Sequence, residues 1–522
     1  MAEYLSPAIF IEEPSSGVRP IEGVGTSTAA FVGHTVKGPI GVATPVGNFA
    51  QFTDIFGGFT DDGMLAFAVK CFFDEGGTYC YVARTCNYSA MPPKVPVAVA
   101  SSASDKAAGW AVATPATLDV KASSPGEWGN DLSILLTTTG ADEFTIEVRL
   151  QGARAETFEK LTMTQTDPNY VVTRINDAPP GKRSKLIQVT DNTTTFGLNL
   201  ANRQPQPIAT PLALGSGTSG LVSGGAAVGD YIGYPGVGNG LLAFDAITGI
   251  NLVAIPDAIS RDVHVGGVTY CAGRGDCVYL ADSHELPSSA DDVIHWKQGD
   301  GPYSGNAISS KYGAFYTPWI YVFDPRSGGQ IEVPPSGAVA GRCAATDAAR
   351  GVHKAPAGID DGRLRTALDL RTRFSTADQE RLNPRGINLI REFTGVGSVI
   401  WGARTTSADP EWRYLNVRRL LIFLEQSIEQ STIWVVFEPN DQSLWNSITR
   451  NVAAFLRREW LAGALVGDKE EQAFYVKCDA ETNPPESIDL GRVITEIGVA
   501  PSRPAEFVVF RIAQYQGAPA TA

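Results

Sequence analysis

The sequence predicts an α/β and α+β multidomain chain: a discontinuous α/β core, a β-rich insertion, an α+β C-terminal domain and extended strands at both ends. Three observations predict it. The α/β texture that opens the chain gives way from about Met91 to Asp230 to Ala, Ser, Thr, Gly and Pro with period-two strands, and it resumes at Leu241. After Val352 the sequence becomes richer in helical spacing. Each end carries a short apolar strand with no hairpin partner nearby. At 522 residues the length suggests roughly three domains.

The first strand lies in Tyr4-Leu5-Ser6-Pro7-Ala8-Ile9-Phe10-Ile11-Glu12-Glu13-Pro14, and the last in Ala505-Glu506-Phe507-Val508-Val509-Phe510-Arg511-Ile512. Alternation puts Ala8 and Phe10 on one side of the first strand and Ile9 and Ile11 on the other, so both faces are apolar. Such a strand is either closed into its own domain or added to the sheet edge of another subunit. Strand chemistry alone leaves both readings open.

Between the ends, Thr28-Ala29-Ala30-Phe31-Val32-Gly33 reads as a strand, and Gly63 to Phe73 as a helix with Leu65, Ala68, Val69 and Phe72 on one stripe. In the insertion, Phe144, Ile146, Val148 and Leu150 alternate with polar residues as in a half-buried strand. Asn251-Leu252-Val253-Ala254-Ile255-Pro256 reads as a buried strand of the resumed core. Val417, Leu420, Leu421, Leu424 and Ile428 mark a helix leading to a strand at Ile433-Trp434-Val435-Val436-Phe437. Asn440 or Asp441 caps the next helix, whose stripe is Leu444, Trp445, Ile448, Val452, Phe455 and Leu456, and Phe474 to Cys478 is another strand. The expected domains are an arm at 1–20, a core at 21–90 and 231–385, an insertion at 91–230, a C-terminal domain at 386–504 and a second arm at 505–522. No internal repeat of 20 to 50 residues is visible.

Composition narrows the function classes. With 42 basic and 56 acidic residues the formal charge is −14, and no Lys/Arg block stands out, which argues against a nucleic-acid coat or a membrane-surface protein. No apolar stretch approaches the roughly 20 residues of a membrane helix, and the start lacks a signal-peptide pattern, so export by the general route is not expected. Seven cysteines without a Cys-x-x-Cys pair point to reduced, mostly buried thiols.

Chemistry-bearing groups are thinly spread. The five histidines are scattered. Asp282 and His284 follow the apolar strand Cys277-Val278-Tyr279-Leu280-Ala281, where α/β proteins place catalytic groups, but no nucleophile elbow accompanies them. The glycines of 233–240 lack the Gly-Lys-Ser/Thr of a phosphate loop, Asp291-Asp292 and Asp360-Asp361 precede plausible helices, and Arg274-Gly275-Asp276 reads as a structural turn. A hydrolase or transferase around Asp282 and His284, or a secreted adhesin built on the insertion, are the alternatives these features leave.

The C-terminal third then resembles a known family. Asn388-Leu389-Ile390-Arg391, Trp401-Gly402-Ala403-Arg404-Thr405, Tyr414-Leu415-Asn416-Val417-Arg418-Arg419, Phe437-Glu438-Pro439-Asn440-Asp441 and Pro504-Ala505-Glu506-Phe507 are similar, in order, to contractile tail sheath proteins of phages, R-type tailocins and contractile injection systems. Upstream blocks such as Val333-Pro334-Pro335-Ser336-Gly337, Lys354-Ala355-Pro356 and Pro125-Gly126-Glu127-Trp128-Gly129-Asn130 resemble it too, whereas residues 135 to 230 do not. The family has Gly-Val-Tyr where Ala8-Ile9-Phe10 stands and Trp in place of His353.

The resemblance implies a non-enzymatic structural subunit without cofactor or metal. It implies a helical homo-oligomer around an inner tube protein, with baseplate and terminal cap proteins as further partners, and neither nucleic-acid binding nor membrane insertion. It places assembly in the bacterial cytoplasm, followed by residence in a phage tail or an injection particle. Tyr4, Leu5, Ala8, Ile9, Phe10 and Ile11, with Phe507, Val508, Val509, Phe510 and Ile512, would be intersubunit arms. Arg413, Arg418, Arg419, Arg457 and Arg458 would be candidates for facing the tube.

Overall fold

The computed structural model describes residues 20–90, 94–104, 117–140, 142–179, 181–192, 205, 207–208, 210–221, 227–258 and 260–506. The two expected arm sequences, Tyr4 to Ile11 and Phe507 to Ile512, lie outside the described residues. The chain divides into a larger unit, Gly25–Ala345 with Pro356–Arg413, and a smaller one, Met1–Val24 with Thr346–Ala355 and Tyr414–Ala522.

The larger unit is built on β1 (Ala29–Gly33), β2 (Thr44–Val46), β3 (Cys80–Arg84), β4 (Leu252–Ala254), β5 (Val278–Asp282), β6 (Gly313–Thr317), β7 (Ile387–Phe393) and β8 (Gly397–Ile400). They form one sheet in the order β8-β7-β6-β5-β4-β1-β3-β2. β7, β6, β5, β4, β1 and β3 are parallel, while β2 and β8 close the two edges antiparallel. This is the order of a doubly wound α/β sheet with its switch point between β1 and β4. Every residue of β1, β4, β5 and β6 is buried, as strands covered on both faces must be.

Carboxylates at strand ends hold helices onto this sheet. Asp257, just past β4, accepts the N–H groups of His34 and Met64 at 2.5 Å each and of Leu65 at 3.0 Å, which caps helix Leu65–Asp74 from outside its own sequence. Asp282, the last residue of β5, accepts Ser336 N–H at 2.9 Å where helix Ser336–Arg350 begins. Small residues bring these two helices together. A Cβ at Gly337 would run into the backbone of Ala68, and one at Gly341 into the backbone of Phe72, so neither position has room for a side chain.

The insertion is β-rich. Leu212–Ala213, Leu132–Thr138, Phe144–Leu150 and Ala153–Leu161 form an antiparallel sheet in that order, and Ser102–Ser104, Leu118–Ala122 and Ile187–Asp191 form another. Phe144, Ile146 and Val148 point into a core shared with Val120, Ile134 and Val189, as period two requires.

In the smaller unit, helices Leu415–Ser431 and Gln442–Leu461 pack through Leu420, Leu424, Trp445, Ile448, Phe455 and Leu456. Asp441 caps the second helix, its Oδ1 accepting Leu444 N–H at 2.9 Å. Strands Phe474–Lys477 and Glu496–Val499 form a two-stranded antiparallel sheet against the same core.

Two expectations are corrected here. A C-terminal domain beginning at residue 386 would split the large sheet, because β7 pairs with β6 through Phe315–Ile387 and Thr317–Leu389. The division instead falls between Arg413 and Tyr414. Residues 433 to 437, expected as a strand, make a 3-10 turn at Ile433–Val435 closed by bonds from Val435 N–H to Thr432 O and from Val436 N–H to Ile433 O. The β-branched run has no partner strand among the described residues, so its backbone closes on itself.

The segments Asn388 to Arg391 and Trp401 to Thr405 meet around one buried amide. Asn388 donates from Nδ2 to Arg404 O at 2.8 Å and accepts Arg404 N–H on Oδ1 at 2.7 Å, while Trp401 N–H bonds Leu389 O at 2.7 Å. Replacing Asn388 with Ala would strand a buried donor and acceptor on Arg404, at a cost of about 3 kcal/mol. The urea midpoint of N388A is therefore expected to fall well below that of the unaltered chain, and an unchanged midpoint would show that the clamp does not hold the edge of the sheet.

Candidate assembly interface

A strand in a sheet of two has one paired edge and one open edge. Phe474, Tyr475, Val476 and Lys477 lie opposite Val499, Gly498, Ile497 and Glu496. Ala500 N–H bonds Ala473 O at 2.8 Å, so this pair and every second pair after it exchange backbone hydrogen bonds across the hairpin. Alternation then turns the backbone groups of Val476 outward on one side and those of Ile497 and Val499 outward on the other. Their side chains share the face that meets the helices, where Val476 and Val499 are half-buried and Ile497 is exposed. The hairpin thus offers unpaired edges next to an apolar face that its own chain leaves partly uncovered among the described residues. That is the geometry that captures an added strand.

On either side of Pro501, the chain bonds the turn after the second long helix, Val466 N–H to Ala500 O and Ser502 N–H to Ala464 O. At the other end of the chain, Val24 N–H bonds Ser427 Oγ at 3.1 Å and Glu22 N–H bonds Ser431 Oγ at 3.3 Å. Ile21 is buried in the core of the smaller unit, and Arg458 donates to its carbonyl. Residues Ile21 to Val24 are therefore anchored along the last turns of helix Leu415–Ser431.

The basic candidates separate into two groups. Arg418 and Arg419 do not face outward, which corrects the expectation for both. Arg419 is 4% exposed and forms a two-pronged pair with Asp347 at 3.0 and 2.5 Å, and Arg418, 1% exposed, reaches Glu425 at 2.8 and 2.7 Å. At the start of a helix whose apolar stripe is Val417, Leu420 and Leu424, these guanidiniums lie inside and need carboxylates beside them. Arg413, Arg457 and Arg458 remain exposed, with Arg457 3.5 Å from Glu470.

The groups singled out for catalysis are engaged structurally. Asp282 is buried beneath the start of helix Ser336–Arg350, and burial pushes its carboxyl up to about 7. His284 pairs instead with Asp292 at 3.1 Å and packs against the Trp296 and Tyr303 rings. Against the upward push of burial, hydrogen bonds from Ser288, Tyr303 and His284 hold the Asp292 carboxyl down at about 2. Arg274 binds Asp276 at 2.8 Å and the carbonyls of Phe244 and Ile247, so the Arg-Gly-Asp tripeptide turns inward on itself. All seven cysteines are buried thiols outside any disulfide. At the switch point, a cleft of about 610 Å³ is lined by His34, Asp257 and Tyr231, whose polar atoms already bond Thr85 O, one another or helix N–H groups.

Sequence reasoning missed the strand Glu496–Val499 and the exposed side chains of Ile433, Val436 and Phe437. The first is signalled by the alternation of Ile497 and Val499 with Glu496 and Gly498; the second has no signal separable from that of a strand.

Comparison with known proteins points to one kind of protein. Residues 300–406 match the phage tail sheath protein central domain, and residues 407–514 match the phage tail sheath C-terminal domain. The chain is 27% identical over 245 residues to the tail sheath protein of Enterobacteria phage T4, a match that covers 45% of this chain and 36% of that protein. The chain therefore spans only about a third of that relative's length. Among solved structures, the sheath complex of the extracellular contractile injection system PVC in its contracted state superposes with a TM-score of 0.59 at 20% identity, covering 98% of this chain and 99% of the other. The sheath tail protein of Desulfitobacterium hafniense gives 0.57 at 12% identity, covering 91% and 93%. These likenesses establish the fold.

Replacing Arg419 with Ala would take from the buried Asp347 carboxylate its two-pronged partner, at a cost of about 3–5 kcal/mol. The expected result is a subunit with a sharply lowered unfolding midpoint, whereas the same change at the exposed Arg457 leaves the midpoint within a degree or two. Equal midpoints for the two variants would contradict the placement of Arg419.

Proposed function

We propose that this member of the contractile tail sheath family is a structural subunit that polymerises helically around an inner tube in a metastable extended state and contracts to drive the tube through a target envelope. The observation that carries the reading is the uninterrupted match of residues 300–514 to two consecutive sheath domains. The physical means would be a hairpin with open edges among the described residues and the mostly apolar run Tyr4 to Ile11 in the sequence before the anchored Ile21.

Tyr4 to Ile11 would pair with an open hairpin edge on a neighbouring copy, and Phe507 to Ile512 would do the same from the other end. The eleven residues Tyr4 to Pro14, if extended, would reach roughly 36 Å, enough to cross to an adjacent subunit. Such a contact joins two different surfaces and does not close, so it propagates as a helix of many copies. Arg413, Arg457 and Arg458 are the basic side chains left to meet the tube, and baseplate and cap proteins would bound the two ends. Assembly would take place in the bacterial cytoplasm, and the finished particle would be a phage tail or an injection machine.

The work of contraction would come from the difference in contact free energy between two arrangements of one lattice, with the arms staying paired while other contacts change. Removing residues 1 to 15 is expected to abolish hollow striated tubes in negative stain while leaving a folded subunit. A deletion variant that still assembles, or one that unfolds because the arm belongs to its own core, would overturn this reading.

A further inference from the structure

The Arg274-Gly275-Asp276 turn has a cysteine near each end, Cys271 and Cys277. Helix Arg261–Arg274 stops there on Gly275, whose φ of 78° is left-handed and whose N–H bonds Cys271 O at 2.9 Å. Cys277 stands directly before β5, so the last turn of the helix and the start of the strand face each other across a short reversal. Across it, Cys277 Sγ donates to Cys271 Sγ at 3.4 Å. Neither side chain is exposed, and both belong to the apolar core that also holds Tyr279 and Ala281 of β5.

The surroundings hold the two sulfurs in place. Arg274 grips Asp276 from Nε and Nη2 at 2.8 Å each and donates to the carbonyls of Phe244 and Ile247, which fixes the turn. Farther back on the helix, His264 Nδ1 meets Tyr279 Oη at 3.0 Å, and a Cβ at Gly267 would run into the Tyr279 ring, so the helix lies tightly on β5. A disulfide needs sulfurs about 2.0 Å apart, so each sulfur has to move only about 0.7 Å, within reach of a small side-chain rotation.

Two thiols are also half of a structural zinc site, but among the described residues no group of three or more His, Cys, Asp or Glu is placed to hold a metal. Catalysis of thiol exchange needs an accessible thiolate, whereas burial and the hydrogen bond with Cys277 push the Cys271 thiol well up. What the pair is placed to do is react with itself.

We propose that Cys271 and Cys277 form a redox-sensitive staple, a dithiol in a reducing compartment and a disulfide once a peroxide reaches the core. Two thiols and one peroxide give one disulfide and two waters. One sulfur attacks a peroxide oxygen as thiolate: the S–O bond forms, the O–O bond breaks, and the leaving hydroxide takes up the proton that the thiol released. The second sulfur attacks the resulting sulfenic sulfur; S–S forms as S–O breaks, and the second thiol proton leaves with hydroxide as water. The sulfur pair loses two electrons and the peroxide gains them. Burial selects a small oxidant, because thiols this deep are met through transient openings. The closed bond ties the end of the helix to a central strand and removes open conformations of the turn from the unfolded chain. This inference stands independently of the sheath reading.

The test treats the full, reduced chain with hydrogen peroxide in native buffer, alkylates the remaining thiols in denaturant and digests with trypsin without reductant. Trypsin cuts after Arg261, Arg274 and Lys297, so the expected product is peptide 262–274 joined to peptide 275–297 and lighter than their sum by two hydrogens. Unlinked peptides, oxygen added to either cysteine without a link, or a link from either to another cysteine would each overturn the proposal. As a second measurement, the oxidised chain should unfold at higher urea than the reduced one, its unfolded fraction within the transition falling at least about tenfold, and dithiothreitol should reverse the gain. Cys271→Ala should abolish both the link and the gain; because its treated form is compared with its own untreated form, the cost of the substitution itself cancels. An oxidised chain no more stable than the reduced one, or a gain that persists in C271A, would overturn the staple.

Discussion

A sheet of two strands cannot satisfy its own outer backbone, and the smaller unit is built around one. Its hairpin gains stability by packing Phe474 and its neighbours on two long helices, since a hairpin alone is marginal in water. The packing leaves Val476, Ile497 and Val499 presenting backbone groups at open edges. The large sheet is finished by contrast: its parallel strands are buried on both faces, and the antiparallel strands β2 and β8 terminate it. Among the described residues the hairpin has open edges, and edges of that kind are suited to accepting a further strand.

Both units are made stiff by buried polar clamps rather than by apolar packing alone. Asn388 ties β7 to the segment ending at Arg404, Asp257 joins β1, β4 and the start of helix Leu65–Asp74, and Arg419 grips Asp347. A clamp of this sort has one good geometry and a steep cost for leaving it, because each displaced partner becomes an unsatisfied buried group. In the proposed contraction, that stiffness would confine change to contacts between subunits and to the segments that connect them. A lattice of stiff bodies switches between discrete packings more readily than it deforms.

Local patterns in the sequence were readable, and long-range pairings were not. Helical spacing located Leu415–Ser431, the capping preference of Asp441 located the start of its neighbour, and alternation at Phe144, Ile146 and Val148 located an insertion strand. The domain boundary was misplaced because β7 finds its partner β6 about seventy residues earlier, which no local pattern reveals. Arg418 and Arg419 read as candidates for facing the tube because the carboxylate that holds Arg419, Asp347, is 72 positions away. Residues 433 to 437 carry β-branched and aromatic side chains, the composition of a strand, yet they form an exposed turn. β-Branched and aromatic composition reports side chains that suit a strand and not the presence of a partner strand, so the turn could not be told from a strand by sequence alone.

The claim on which the rest depends is that the hairpin edges are empty in the free subunit and filled in the polymer. Hydrogen exchange at the amides of Val476, Ile497 and Val499 measures this directly, because an edge amide exchanges quickly until another strand accepts its hydrogen bond. On going from free subunits to assembled tubes, these amides should slow by about a hundredfold or more, while the already paired amides of Tyr475 and Gly498 change far less. Equal exchange at Val476, Ile497 and Val499 in the two states would mean that no strand is added there, and the account of assembly given by this fold would be wrong.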